Sequence, residues 1–273
     1  MTADIMEQFS AIKTWREICC IIPEITKVLK TPLFRGQGNS WENWKLIPSL
    51  YRESEYIKST LKGRHPRFID WLTGTIFAEC GKEIESLIER QVNRNSKKDQ
   101  NVVMGILQHL RLPTPLLDWT CNPFKAVYFA FEGMCEASKE VAIFLIDNDA
   151  WGKCPSRDPR IVWVEEPKSV LPRQRAQECV YIYSHDEEGL EVEISADECG
   201  DHQDIFKFNT SKSGGENKEK FIACCHLPVS EREEALKYLK EKEIDKESLY
   251  PDKKDLILAT LREKIERLYK CLE

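Results

Sequence analysis

No stretch of this sequence is apolar for long enough to cross a bilayer. Its apolar runs, Ile18 to Ile22 and Val141 to Ile146, fall far short of the roughly 20 residues a spanning helix needs. The first thirty residues lack the charged start, apolar stretch and small-residue cleavage site of a secretion signal. The eleven cysteines are odd in number, so at least one cannot pair within the chain. These absences predict a cytoplasmic protein with free thiols and no membrane partner. Also missing are a Gly-x-x-x-x-Gly-Lys loop, a Gly-x-Ser-x-Gly elbow and a Gly-x-Gly-x-x-Gly turn. P-loop NTPase, hydrolase and dinucleotide Rossmann readings therefore have no support. Cys199-Gly200-Asp201-His202 and Cys224-Cys225-His226 carry metal-ligand types but no paired Cys-x-x-Cys spacing, so no metal is expected.

Apolar surface is plentiful. Hydrophobic residues make up 41% of the 273 positions and aromatics 10%, enough for a real core. Charged residues reach 32% with both signs interspersed, against roughly 25% in ordinary globular proteins. The net charge of -6 excludes a chain-wide electrostatic hold on nucleic acid. The basic runs Lys62 to Arg67 and Arg90 to Lys98 have acidic neighbours and read as solvated surface.

Apolar spacing of three and four predicts helices from Asp4 to Lys30, broken near Pro23. Leu33 to Gln37 reads as a short strand running into a turn at Gly36, and Trp44 to Leu50 as a second short apolar run. Helices are expected over Phe68 to Val92, Val102 to Leu110 and Phe124 to Cys135, the last opened by Asn122-Pro123. Val141 to Asp147 is a continuous apolar strand of central type. Arg160 to Glu165, Cys179 to Tyr183, Glu191 to Ile194 and Phe221 to Leu227 have strand composition, with a polar loop over Thr210 to Lys220. Ser230 is placed to cap a charged helix to Glu241, and a last helix follows Leu249-Tyr250-Pro251-Asp252. No repeat or long linker divides the chain. The expectation is one α+β domain over 1–273 with a mixed or largely antiparallel sheet flanked by helices. It comprises a helical segment 1–30, a motif-bearing core 31–227 and a helical segment 228–273.

Two segments concentrate the residues able to do chemistry. In Phe34-Arg35-Gly36-Gln37, an arginine at a strand end beside a glycine suits an anion clamp, and Arg52 lies nearby in sequence. The same arginine would also suit pairing with an internal carboxylate. In Gln108 to Asn122, the residues Thr114, Asp118 and Trp119 are candidates to line a pocket. Asp118, Thr120 and Asn122 would equally serve as an Asx turn and helix cap. His109 is a candidate base or a structural hydrogen-bonding histidine.

These segments resemble the FRG domain family, named for its Phe-Arg-Gly motif. The FRG-Gln element is intact at Phe34 to Gln37. The family's Gln-His-x-Gly-Leu-Pro-Thr-Arg-Leu-Leu-Asp-Trp-Thr-x-Asn-Pro block matches Gln108 to Pro123, except that Arg111 replaces glycine and Pro115 replaces arginine. Ala176-Gln177 through Tyr181 and Leu249-Tyr250-Pro251-Asp252 resemble two further family elements. More distantly, the arrangement resembles the ADP-ribosyltransferase plan. That plan uses an arginine on the first strand to grip NAD phosphates, a Ser/Thr-bearing strand or turn at the nicotinamide ribose, and a late Gln/Glu. The resemblance implies catalytic places for Arg35, Thr114 or Thr120, Asp118 and Gln177. It implies ligand contacts for Gly36, Gln37, Arg52, His109, Trp119, Thr120 and Asn122. The glutamate of a Gln-x-Glu pair would fall on Cys179, and Asp118 is the candidate replacement. NAD is then the expected substrate and a nucleotide-like small molecule the expected partner, with a protein or nucleic-acid target. The implied role is an effector of bacterial anti-phage or toxin systems. The alternative is a non-catalytic module recognising nucleotide, nucleic acid or protein through the same cleft. The sequence leaves the oligomeric state open.

Overall fold

Two helices lead the chain, and the break between them is not where proline would put it. Helix α1 (Thr2–Ala11) stops before Thr14, and α2 (Trp15–Val28) then runs straight through Pro23. Thr14 and Glu17 form a capping box that fixes the start of α2. The buried stripe Trp15, Ile18, Ile22 and Ile25 continues past Pro23, so burial outweighs the hydrogen bond that proline removes. The computed structural model describes residues 2–38, 46, 48, 49, 68–114, 116–149, 160–164, 172–185, 222–251 and 256–270. Arg52, the Lys62 to Arg67 run, Glu191 to Ile194, Cys199, His202 and Thr210 to Lys220 lie outside these residues, as does most of Trp44 to Leu50.

The remaining elements are β1 (Pro32–Gln37), α3 (Phe68–Ile88), α4 (Lys97–His109), β2 (Leu117–Thr120), α5 (Pro123–Glu132) and β3 (Glu140–Asp147). They continue with β4 (Arg160–Val164), α6 (Pro172–Ala176), β5 (Cys179–His185), β6 (Ile222–Pro228), a 3-10 turn (Val229–Glu231), α7 (Arg232–Glu241), α8 (Lys246–Leu249) and α9 (Leu256–Lys270). The fold is α+β. The strands form one six-stranded sheet in the order β4-β5-β2-β1-β3-β6, and every pairing is antiparallel.

β1 does not turn at Gly36. It stays extended, and Pro32 to Gln37 all pair with β3. Ser230 does not cap α7 either, because it lies inside the 3-10 turn. Glu231 precedes α7 without a side-chain cap, and its carboxylate accepts the backbone N–H of Trp15 at 2.9 Å. By contrast, Asn122 caps α5 by accepting from Phe124 and Lys125, with Pro123 at the first turn.

One sheet face, with Phe34, Ile143, Leu145, Cys225 and Leu227, packs under α1, α2, α5 and α7. The other face gathers Leu33, Leu117, Trp119, Phe144, Ile146 and Ile182. A separate apolar cluster joins α3, α4 and α9 through residues such as Ile76, Ile84, Val103, Leu107, Leu261 and Ile265. Lys264 of α9 pairs with Glu83 of α3 beside it. Among the described residues, no helix is long and apolar enough to cross a membrane.

Candidate functional site

Among the described residues, the ladder between β1 and β2 holds one register pair, Phe34 with Thr120. Where that pairing lapses, the Arg35 guanidinium enters and its Nη1 donates to the main-chain carbonyl of Asp118 at 2.7 Å. A cavity of about 530 Å³ opens here, bounded by β1, β2, β5, the ends of α4 and α6, and Tyr250. Arg35, Asp118 and Gln177 all line it, although they are far apart in sequence. His109, Trp119, Thr120 and Gly36 line it as well.

Asp118 is exposed within the otherwise buried β2. Its carboxylate accepts from Gln108 Nε2 at 3.0 Å and faces the Cys179 sulfur at 3.9 Å. Gln108 is itself oriented by the Thr114 hydroxyl, which donates to its Oε1. Thr114 is fully buried, and exchanges further hydrogen bonds with Ser49 and Leu116. It therefore lies behind the cavity wall and orients a residue that lines it. Cys179 is buried, and desolvation together with the Asp118 charge pushes its thiol well up, so it stays protonated. Tyr181 is held in its phenol form by the same burial.

Gln177 follows α6 and carries two fixed contacts. Its main-chain carbonyl accepts from Thr120 Oγ1 at 2.8 Å, and its side-chain nitrogen donates to the Leu249 carbonyl at 3.1 Å. The next residue, Glu178, is left-handed at φ 48. Lys125 of α5 spans this corner, donating to Ala176 O and Glu178 Oε1, each at 2.6 Å. Burial works against the Glu178 charge, yet these bonds from Lys125 and Asn122 keep its carboxyl below the ordinary range. Asn122 thus serves as cap and corner brace outside the cavity wall, and Gln37 lies at the end of the β1–β3 ladder.

Gly36 serves packing. A Cβ there would sit 1.8 Å from Ala126 O and 2.6 Å from Ala130 N, both in α5. The missing side chain admits α5, while the Gly36 backbone also lines the cavity.

Residues 30–139 match the family model of the FRG domain. Over that stretch the chain is similar to the FRG domain. No curated protein and no solved structure matches the chain. The matched FRG segment contributes Arg35, Gln108, His109, Arg111, Asp118 and Thr120 to the cavity. Arg173, Gln174, Gln177, Cys179, Tyr181 and Tyr250 come from beyond it.

Several of these contributors were not legible as site residues in the sequence. Arg173 and Gln174 belong to α6, a five-residue helix whose only local sign is Pro172 at its start. Arg173 donates to the His109 carbonyl at 3.2 Å and lies 5.3 Å from the centre of the Tyr250 ring. Gln174 is 1% exposed, and neither end of its amide has a hydrogen-bond partner among the described residues. The indole N–H of Trp119 is likewise buried and unpartnered among them. Unsatisfied buried groups on a cavity wall are the ones a bound molecule would satisfy. Among the described residues, the wall carries three guanidiniums, of Arg35, Arg111 and Arg173, against the single carboxylate of Asp118. It is chemically suited to an anion that also offers polar edges.

His109 sits among these cations. Burial, then Arg173 and Arg111, lower its pKa to about 4. In the unfolded chain it takes its proton near 6.5. Between those values the unfolded state binds more protons, so stability is complete above pH 6.5 and falls as the pH drops toward 4. The loss approaches about 3 kcal/mol from this group, and His226, also lowered chiefly by burial, adds to the same slope. His109→Gln should flatten most of that slope in urea titrations across this window. An unaltered slope would remove the assignment.

Proposed function

We propose that this protein binds NAD in the cleft and cleaves its nicotinamide–ribose bond, passing ADP-ribose to an acceptor or to water. The supporting observation is the convergence of Arg35 from β1, Thr120 and Asp118 from β2, and Gln177 at the entry to β5 on one cavity. Those three strands are neighbours in the sheet, in the order β5-β2-β1. They are also the carriers that the ADP-ribosyltransferase plan calls for.

In this reading Arg35 grips a phosphate, and the bond breaks with its electron pair leaving on nicotinamide. Positive charge then builds on the ribose. A carboxylate preorganised nearby lowers that barrier. The position where the plan seats a glutamate is the neutral, buried Cys179, but Asp118 brings its carboxylate to 3.9 Å from that sulfur. The charge is supplied from the adjacent strand. The wider reading is a cytoplasmic effector acting on a protein or nucleic-acid target in a bacterial anti-phage or toxin setting.

Incubation with labelled NAD, following free nicotinamide and label transfer to cell extract, tests it. Wild type should release nicotinamide, and Arg35→Ala should lower both binding and release by at least about a hundredfold. A recognition module is the second reading. It draws support from the Gln177 amide nitrogen, which is already committed to Leu249. Saturable NAD binding that needs Arg35 but yields no nicotinamide would establish the module instead. Absence of both binding and release would end the NAD reading and, with it, any module that recognises NAD.

A further inference from the structure

Arg111 stands in a backbone conformation that disfavours it. Helix α4 closes with two bonds: Arg111 N–H donates to Gln108 O and Leu112 N–H to Leu107 O, each at 3.0 Å. This closure places Arg111 at φ 61, in the left-handed region. Such a position usually belongs to glycine, which carries no Cβ to clash. The arginine is exposed and its side chain makes no hydrogen bond or ion pair among the described residues. Attraction to the negative helix end does not explain it, since any site in the last turn would serve that purpose.

Two other features share this part of the cavity. Arg173 is half-buried and fixed by the His109 carbonyl and the Tyr250 ring, and it is close enough to Arg111 for the two charges to repel. Beside Arg173 in α6 lies Gln174, its buried amide unsatisfied at both ends among the described residues. Two guanidiniums set against each other beside unused hydrogen-bonding groups are stabilised by an anion between them.

We propose that Arg111 and Arg173 form a second phosphate subsite, separate from Arg35, so that the cleft selects ligands bearing two linked phosphoryl groups over ligands bearing one. Arg173 is the fixed half of the clamp. Arg111, held at the cavity edge by the α4 closure, is the half that discriminates. The inference deepens the NAD reading, since it assigns the second phosphate of the pyrophosphate. It rests on that reading only for the identity of the rest of the ligand.

The experiment is calorimetric titration of the full chain with inorganic pyrophosphate, inorganic phosphate, ADP and AMP, on wild type and Arg111→Gly. Wild type is expected to prefer pyrophosphate over phosphate, and ADP over AMP, by at least about tenfold. Arg111→Gly places glycine in the conformation it tolerates best, so it should melt no lower than wild type. It should nonetheless lose both preferences while AMP binding stays within about threefold. Arg111→Lys, which keeps the charge but not the fork, should recover part of the loss. Unchanged pyrophosphate binding in Arg111→Gly overturns the proposal, as does a wild type with no preference for two phosphoryl groups. If pyrophosphate behaves as expected but NAD is neither bound nor cleaved, the subsite stands and the NAD reading fails.

Discussion

Gly36→Ala is expected to cost at least about 3 kcal/mol of stability and to yield little folded protein. The new methyl would meet main-chain atoms of α5, and Ala126 O and Ala130 N cannot step aside as a flexible side chain could. Relief requires α5 to move off β1, which disturbs Phe34, Ala126, Val127 and Ala130 in the same apolar cluster. Gly74 in α3 provides the control, since nothing lies within 4 Å of a Cβ built there. Gly74→Ala should be neutral or stabilising by up to about 1 kcal/mol, as alanine suits a helix interior better than glycine. Urea denaturation of both variants separates the cases. Equal midpoints for Gly36→Ala and wild type would mean that α5 does not depend on this contact.

Asp118→Asn is expected to lower nicotinamide release by about 10²–10³-fold while the protein stays folded. The substitution keeps the shape of the side chain and removes its charge. The asparagine would still offer an oxygen to Gln108 Nε2, so the hydrogen bond now measured at 3.0 Å survives in kind. Under the proposed NAD reaction, the ribose would lose the carboxylate that Asp118 presents on the cavity wall. Since Asp118 is exposed, its amide replacement leaves no buried charge behind and the melting temperature should move little. NAD affinity should change much less than turnover, because in the proposed reaction Arg35 would hold the phosphate in ground and transition states alike. Turnover equal to wild type would remove Asp118 from the chemistry. A loss confined to affinity would make it a binding residue.

Local signals in the sequence carried part of this structure and failed where long-range packing decided. Asn122-Pro123 marks the start of α5 because cap and first turn are local chemistry. Val141 to Asp147 reads as an interior strand because both its faces are buried. Pro23 misled because its local penalty is overruled by a stripe that packs against distant strands. Gly36 reads as a turn, yet it stays in β1, and its missing side chain makes room for α5, a helix far along the chain that starts at Pro123. The site divides along the same line. Arg35, Asp118 and Gln177 sit in motifs and could be named, whereas Arg173 and Gln174 acquire meaning only where α6 meets the end of α4.

The single register pair described between β1 and β2 has a mechanical consequence. It divides the six strands into two leaves, β4-β5-β2 and β1-β3-β6, joined at Phe34 and Thr120. Arg35 rides on one leaf, and Asp118 with Gln177 on the other. The crossbar is α5, seated on β1 through Gly36 and tied through Lys125 to Ala176 and Glu178, just before β5. A ligand gripped by Arg35 and by the opposite wall would therefore bridge the two leaves and add to the one register pair that joins β1 to β2 among the described residues.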